Sequence, residues 1–180
     1  MFFNLFGKEE EKKDHLFKDK AYMSTEGKLI ACAALAKENP STIFIAWFPD
    51  TVKLFREFFT RQGLDETRIT EARFLNTSLM LTHDPVFVEH YPVHEKEADF
   101  VKNWNRKNII VYSALDEPLF KHFGSEKMIP VMKMMGMNES EAVEHPLVSK
   151  SIIIGQQKIA EKLVAEQAAN SQEEWMKYNL

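Results

Sequence analysis

The run Thr42-Ile-Phe-Ile-Ala-Trp-Phe48 constrains the fold more than any other stretch of the chain. It is almost continuously apolar, rich in branched and aromatic residues, and shows no alternation. Such a run is a strand covered on both faces, as parallel sheets provide. Pro49 breaks it, and Asp50 or Thr51 stands where a helix opens. That helix is expected to run to about Gly63, with Val52, Leu54, Phe55, Phe58 and Phe59 as its apolar stripe. Upstream, Ser24-Thr25-Glu26 caps a helix that carries Leu29, Cys32, Ala33 and Ala36 on one face and closes at Asn39-Pro40. Helix, buried strand, helix is the opening of a layered α/β fold.

The remaining segments extend that pattern. Arg68–Asn76, Leu79–Thr82 and Pro85–Tyr91 have weaker strand character, and Pro85 and Pro92 suggest sheet edges or breaks. Glu95–Trp104 reads as a helix with Ala98, Val101 and Trp104 inward, and Asn108–Ser113 as a second clear strand. Short helices ending at Gly124 and Gly136 follow, then a long one from Pro146 to about Ala169, with fraying beyond. The expectation is a three-layer α/β body with a mainly parallel sheet and a helical C-terminal tail. Its parts are an N-terminal arm over residues 1–18, an α/β domain over 19–124 and a helical extension over 125–180. In the arm, Phe2, Phe3, Leu5 and Phe6 leave open a weak membrane or partner anchor; no signal peptide or membrane span is read.

Composition bounds the partners. The 180 residues are 44% hydrophobic with a net charge of -4, which argues against duplex DNA or an anionic membrane as a bulk partner. The only cysteine, Cys32, excludes an internal disulfide, fits a cytoplasmic location and reads as a small core residue. No G-x-x-x-x-G-K-[ST], G-x-G-x-x-G or G-x-S-x-G sequence occurs. Without such glycines, backbone N–H groups cannot converge on phosphate oxygens in the usual way.

Three clusters invite a chemical reading. His83, His90 and His94 lie near Asp84, Glu89 and Glu95, and could supply metal ligands or an acid–base pair. Pro92 argues against a regular helix holding His90 and His94 together, and no nucleophile accompanies them. Met128, Met132 and Met135 recur at helical spacing, so a core stripe is preferred over an adaptable binding surface. Lys102, Arg106 and Lys107 flank Trp104, and in an acidic chain they read as a solvated helix end rather than a nucleic-acid patch.

One block of residues carries a family resemblance. Asp116-Glu-Pro-Leu-Phe-Lys-His-Phe-Gly-Ser-Glu-Lys127, Lys133-Met-Met-Gly-Met137, Glu144-His-Pro-Leu-Val-Ser-Lys-Ser-Ile152 and Gln156-Gln-Lys158 follow in order. The series resembles the exit from the second nucleotide-binding lobe of SecA, the preprotein translocase motor ATPase, and the start of its scaffold helix. Ala21-Tyr-Met-Ser-Thr-Glu-Gly-Lys28 and the strand ending at Phe48 resemble the front of the same RecA-like lobe. The likeness brackets residues of about 19–165, with a poorly matching middle.

The resemblance implies a reduced form. The family's first lobe, with its phosphate loop and magnesium-binding acid, has no counterpart in this sequence. Its Gly-Arg-Gly-Thr-Asp-like and Gln-x-x-Gly-Arg-x-Gly-Arg-like motifs are also missing. His94-Glu95 can be laid on the helix before those arginines, leaving Arg106 near one of them. His94-Glu-Lys-Glu-Ala98 can equally be laid on an earlier His-Glu-x-Glu-Ala element. The implied protein is a non-catalytic binding or interaction module, linked by analogy to secretion and needing no cofactor. The alternatives are a nucleotide sensor using Asp50, Arg106 and Lys107, and a small metal-dependent or His/Glu hydrolase. A homo-oligomer through Ile152, Ile159, Leu163, Val164 and Trp175 is also open, with intramolecular packing preferred.

Overall fold

A computed structural model describes residues 16–180. Five strands form one parallel sheet in the order β1-β5-β4-β2-β3: β1 Phe17–Tyr22, β2 Thr42–Ala46, β3 Ile69–Glu71, β4 Asp84–Phe87 and β5 Ile109–Ala114. Helices α1 (Thr25–Glu38) and α2 (Pro49–Arg61) cover one face, and α3 (His94–Val101) covers the other. Helices α4 (Pro118–His122), α5 (Met128–Met134), α6 (Pro146–Ala160) and α7 (Gln172–Asn179) complete the chain. The fold is the expected three-layer α/β arrangement.

Strand β2 explains why its sequence lacks alternation. Phe44 and Ala46 point into the α1/α2 layer, where Cys32, Phe55, Phe59 and Val86 meet them. Ile45 points the other way, toward Phe87, Val101 and Val111. Both faces are dry, so both carry apolar side chains. Ser24 caps α1 by accepting a hydrogen bond from the Gly27 N–H, and Leu29, Cys32, Ala33 and Ala36 are buried as their spacing requires. Burial pushes the Cys32 thiol pKa up, consistent with a core residue.

Several expectations are corrected. Residues 1–15 of the arm, with its apolar hexapeptide, lie outside the described residues; Phe17 and Lys18 already belong to β1. Pro85 sits in β4, the middle strand, not at an edge. Asp84 and Val88 direct their N–H groups to β2, so the imino position of Pro85 faces β5, whose pairing with β4 starts only at Val86. The missing donor therefore removes no ladder bond. Leu79–Thr82 is not a strand; it lies within and just after a short 3-10 turn over Thr77–Leu81.

The methionine stripe is also not a core stripe. Met132 is 5% exposed, but Met128 is 55% and Met135 76% exposed. Helix α5 thus presents an apolar face, with Val131 and Met134, to solvent. The last long helix ends at Ala160, and α7 returns to the body instead of fraying. Trp175 is fully buried with Phe48, Leu119, Phe120, Ile152 and Ile159. These contacts satisfy Ile152, Ile159 and Trp175 within the chain and leave Val164 in solvent.

Candidate functional site

The chain order reverses at the C-terminal ends of β2 and β4. From β2 the connection runs through α2 outward to β3; from β4 it runs through α3 to β5 on the other side. Open parallel sheets bind ligands in the crevice at such a switch point. Here Glu89, just past β4, fills it. Its carboxylate accepts from the N–H groups of Trp47 (2.8 Å) and Phe48 (3.0 Å) and from the Thr51 hydroxyl (2.7 Å). Consecutive N–H groups before a helix make an anion nest, and a carboxylate of the same chain occupies this one. Burial raises the Glu89 carboxyl pKa to about 7, although Lys28 draws it down.

The start of α1 repeats the arrangement. Asp116 accepts from the Thr25 N–H at 2.8 Å and from the Thr25 hydroxyl at 2.8 Å. The Ser24 hydroxyl donates to Glu139. Lys28, one turn into α1, is buried and donates to the Val88 carbonyl and the Glu117 carboxylate. Burial alone would lower the Lys28 ammonium pKa; Glu117 outweighs it and holds the ammonium above the usual lysine range. A helix N-terminus and a lysine in its first turn are the parts that cradle phosphate elsewhere. In this chain each already has an internal anion.

A second buried network adjoins the first. His90 places Nε2 at 2.7 Å from Asp19 and Nδ1 at 3.0 Å from Glu97. Burial pushes its pKa down, but the Glu97 and Asp19 carboxylates reverse that and hold the ring protonated well above the ordinary value. Glu97 is raised by burial and lowered more by His90, ending at about 2. Glu97 also accepts from Gln156 of α6, and Gln172 of α7 donates to the His90 carbonyl. The network joins β1, β4, α3, α6 and α7. A cavity of about 80 Å³ beside it is lined by Asp19, His90, His94 and Gln156.

Of the sequence candidates, His90 and His94 share Glu97 and one cavity, and the others lie apart. His90 holds both ring nitrogens against carboxylates, so it has no lone pair for a metal. His83 lies before β4 and His90 after it, at opposite ends of the strand. The His94 Nδ1 is buried without a hydrogen-bond partner among the described residues. No group of three potential metal ligands occurs among them. Asp50 opens α2 at the C-terminal edge of the sheet. Arg106 is at the other edge, donating to the carbonyls of Met80 (2.7 Å) and His83 (3.1 Å). Lys107 lines a groove beside it with Asp84 and Asn108. Asp50, Arg106 and Lys107 therefore form no common nucleotide site.

Sequence reasoning missed Asp19, Lys28, Asp116 and Glu117 as site residues. The signal for Lys28 was present: a charged residue on the apolar face of α1, one position before Leu29.

One tight packing contact makes the capped α1 terminus testable. A Cβ on Gly27 would lie 2.0 Å from the Glu139 carbonyl oxygen. Gly27→Ala must push the 138–141 turn off α1, and backbone cannot yield cheaply. Overpacking costs about 1–3 kcal/mol, and the helix preference of Ala returns up to ~1 kcal/mol. A net loss in urea denaturation is expected; equal or higher stability would contradict the packing.

Fold and site together define a three-layer α/β protein whose helix N-termini at the ligand crevice are filled by its own carboxylates. No family model matches the chain. A 48-residue segment is 48% identical to protein translocase subunit SecA of Acidithiobacillus ferrooxidans, covering 27% of this chain and 5% of that protein. A 53-residue segment is 43% identical to SecA of Prosthecochloris aestuarii, covering 29% and 5%. For SecA of Dechloromonas aromatica the figures are 42% over 48 residues, 27% and 5%. The chain thus carries a SecA-like segment and spans a small part of the length of those relatives.

Proposed function

We propose that this chain is a non-catalytic protein-binding module, a reduced relative of the second SecA lobe that works in the cytoplasm in connection with protein translocation. The observation that carries the reading is the occupied crevice: Glu89 in the nest before α2, Asp116 on α1, and Lys28 committed to Glu117. Phosphoryl transfer depends on positioning groups around phosphate, and those groups here are engaged with internal anions. The SecA-like segment supports the link to translocation, since the relatives are translocase subunits by name. The solvent-facing methionines of α5 support a polypeptide partner, because thioether side chains adapt to irregular apolar surfaces.

The test has two arms. Magnesium–ATP at millimolar concentration is expected to leave the thermal midpoint unchanged and to release no phosphate above a buffer blank. Purified SecA and an unfolded secretory precursor, each titrated against the labelled chain, are expected to yield saturable binding in at least one case. Turnover above the blank overturns the non-catalytic reading; absence of binding to both proteins overturns the link to translocation.

A further inference from the structure

The two edges of the sheet are treated differently. The outer edge of β1 is covered: Ala21 and Val143 exchange N–H···O bonds of 3.1 and 2.8 Å as an antiparallel bridge. Lys18 and Lys20 both pair with Glu144 on that side. Lysines and a covering segment are devices that keep foreign strands away. The outer edge of β3 has neither among the described residues. Its three residues pair with β2 on one side only.

A groove of about 700 Å³ opens between α2 and β3, on whose edge Thr70 keeps partial exposure while Ile69 and Glu71 are buried. Lys53 and Arg56 project from successive turns of α2 and make no ion pair among the described residues. Of the carboxylates lining the groove, only Glu71 is held by a cation, Arg73; Glu57 and Glu66 keep their charges and face Lys53, Arg56 and Arg61. The uncommitted charge is therefore net positive in a chain of net charge -4. At the end of the groove Phe74 is 70% exposed, with the Arg73 guanidinium 4.7 Å from its ring centre. A supported aromatic ring of this kind is an anchor for a partner side chain.

We infer that this groove receives an extended acidic segment of a partner polypeptide, which adds a strand to the open edge of β3. Main-chain hydrogen bonds to the edge would supply affinity, and Lys53, Arg56 and Phe74 would select alternate side chains. The inference rests on the protein-binding reading and names its surface. The methionine face of α5 is a separate patch and has no role in it.

The probe is a fluorescent Glu-Val-Glu-Val-Glu-Val-Glu peptide, with Lys in place of Glu as control, titrated against the full chain. The acidic peptide is expected to bind about tenfold more tightly than the control, and to weaken about tenfold against K53E/R56E. High salt should erase the difference. Amide shifts should concentrate at Ile69–Glu71 and Phe74, and Phe74→Ala, which removes an exposed ring, should weaken binding without changing stability. Equal binding of the two peptides, shifts elsewhere, or no binding overturns the inference. If SecA or a precursor binds K53E/R56E as tightly as the parent chain, the groove is excluded while the module reading stands. Failure of every polypeptide to bind the parent chain removes both.

Discussion

Replacing His90 with leucine is expected to cost the fold about 3–5 kcal/mol, seen as a lower urea midpoint at unchanged slope. The imidazolium bonds both Asp19 and Glu97, all three side chains are buried, and the His94 ring stands farther off, 3.8 Å from Glu97. Leucine leaves two carboxylates in the interior without the cation that bonds both. Breaking a buried pair by removing one partner is costly because the other partner cannot regain water. The pH profile separates this from simple loss of packing. The His90 pKa is raised by folding, so its contribution is full below 6.5 and is lost as pH rises through the folded value. The Glu97 pKa is depressed, so its contribution is present above 4.5 and is lost as pH falls through about 2. The gap between parent and variant should thus be widest between those two reference values, 4.5 and 6.5, and narrow on either side. A variant within about 1 kcal/mol of the parent at every pH would show that the triad does not hold the fold.

That triad was hard to read from sequence for a physical reason. Asp19 occupies a core-facing position in Phe17-Lys-Asp-Lys-Ala-Tyr22, so the alternation that marks a half-buried strand is broken by three polar residues in a row, Lys18 to Lys20. Phe17, Asp19 and Ala21 do point inward while Lys18 is exposed, but only the partner His90, 71 residues later, makes an inward Asp acceptable. Strand β2 posed no such problem, because its burial requires only apolar atoms and those are visible one residue at a time. The same contrast separates α2 from α5. Val52, Phe55 and Phe59 face the sheet as their spacing implies. Met128 and Met135 have equally good spacing and are exposed, since no layer among the described residues covers that side of α5. Periodicity tells which residues share a face, and tertiary placement decides what that face meets.

The site follows the same logic. Glu89-His90 was visible as a polar dipeptide, yet its two side chains serve different networks. Glu89 turns toward the α2 start, and His90 toward β1 and α3. Successive residues past a strand end point to opposite faces, so adjacency in sequence separates them in space. Conversely Lys28, Glu89 and Glu117, far apart in sequence, converge at the C-terminal edge of the sheet because parallel strands bring their ends together. Carboxylates placed there occupy the helix N-termini, and an incoming phosphate would have to displace them.

Lys28→Met offers the strictest test of that arrangement. Its ammonium is in contact with Glu117 and the Val88 carbonyl, with the Phe55 ring centre 5.6 Å away. Methionine keeps the stem packed and removes the charge. Glu117 and Glu89 are then buried with no cation between them, and a loss of about 3–5 kcal/mol is expected. Glu117→Leu alone should also destabilise, by stranding the ammonium. The double variant should recover most of the loss, because a buried ion pair exchanged for well-packed apolar groups is often neutral. The Val88 carbonyl stays unpaired in it, leaving a residual cost of about 1–3 kcal/mol. Glu89 adds a pH signature. Its pKa is raised to about 7 in the fold, so the native state binds more protons than the unfolded chain above 4.5 and stability falls as pH rises toward that value. Removing Lys28 takes away the attraction that draws the Glu89 pKa down, so Lys28→Met should lose stability more steeply than the parent on going from pH 6 to pH 8. Additive single-variant losses in the double variant would show that Lys28 and Glu117 act independently and would dissolve the charge-filled crevice as a unit.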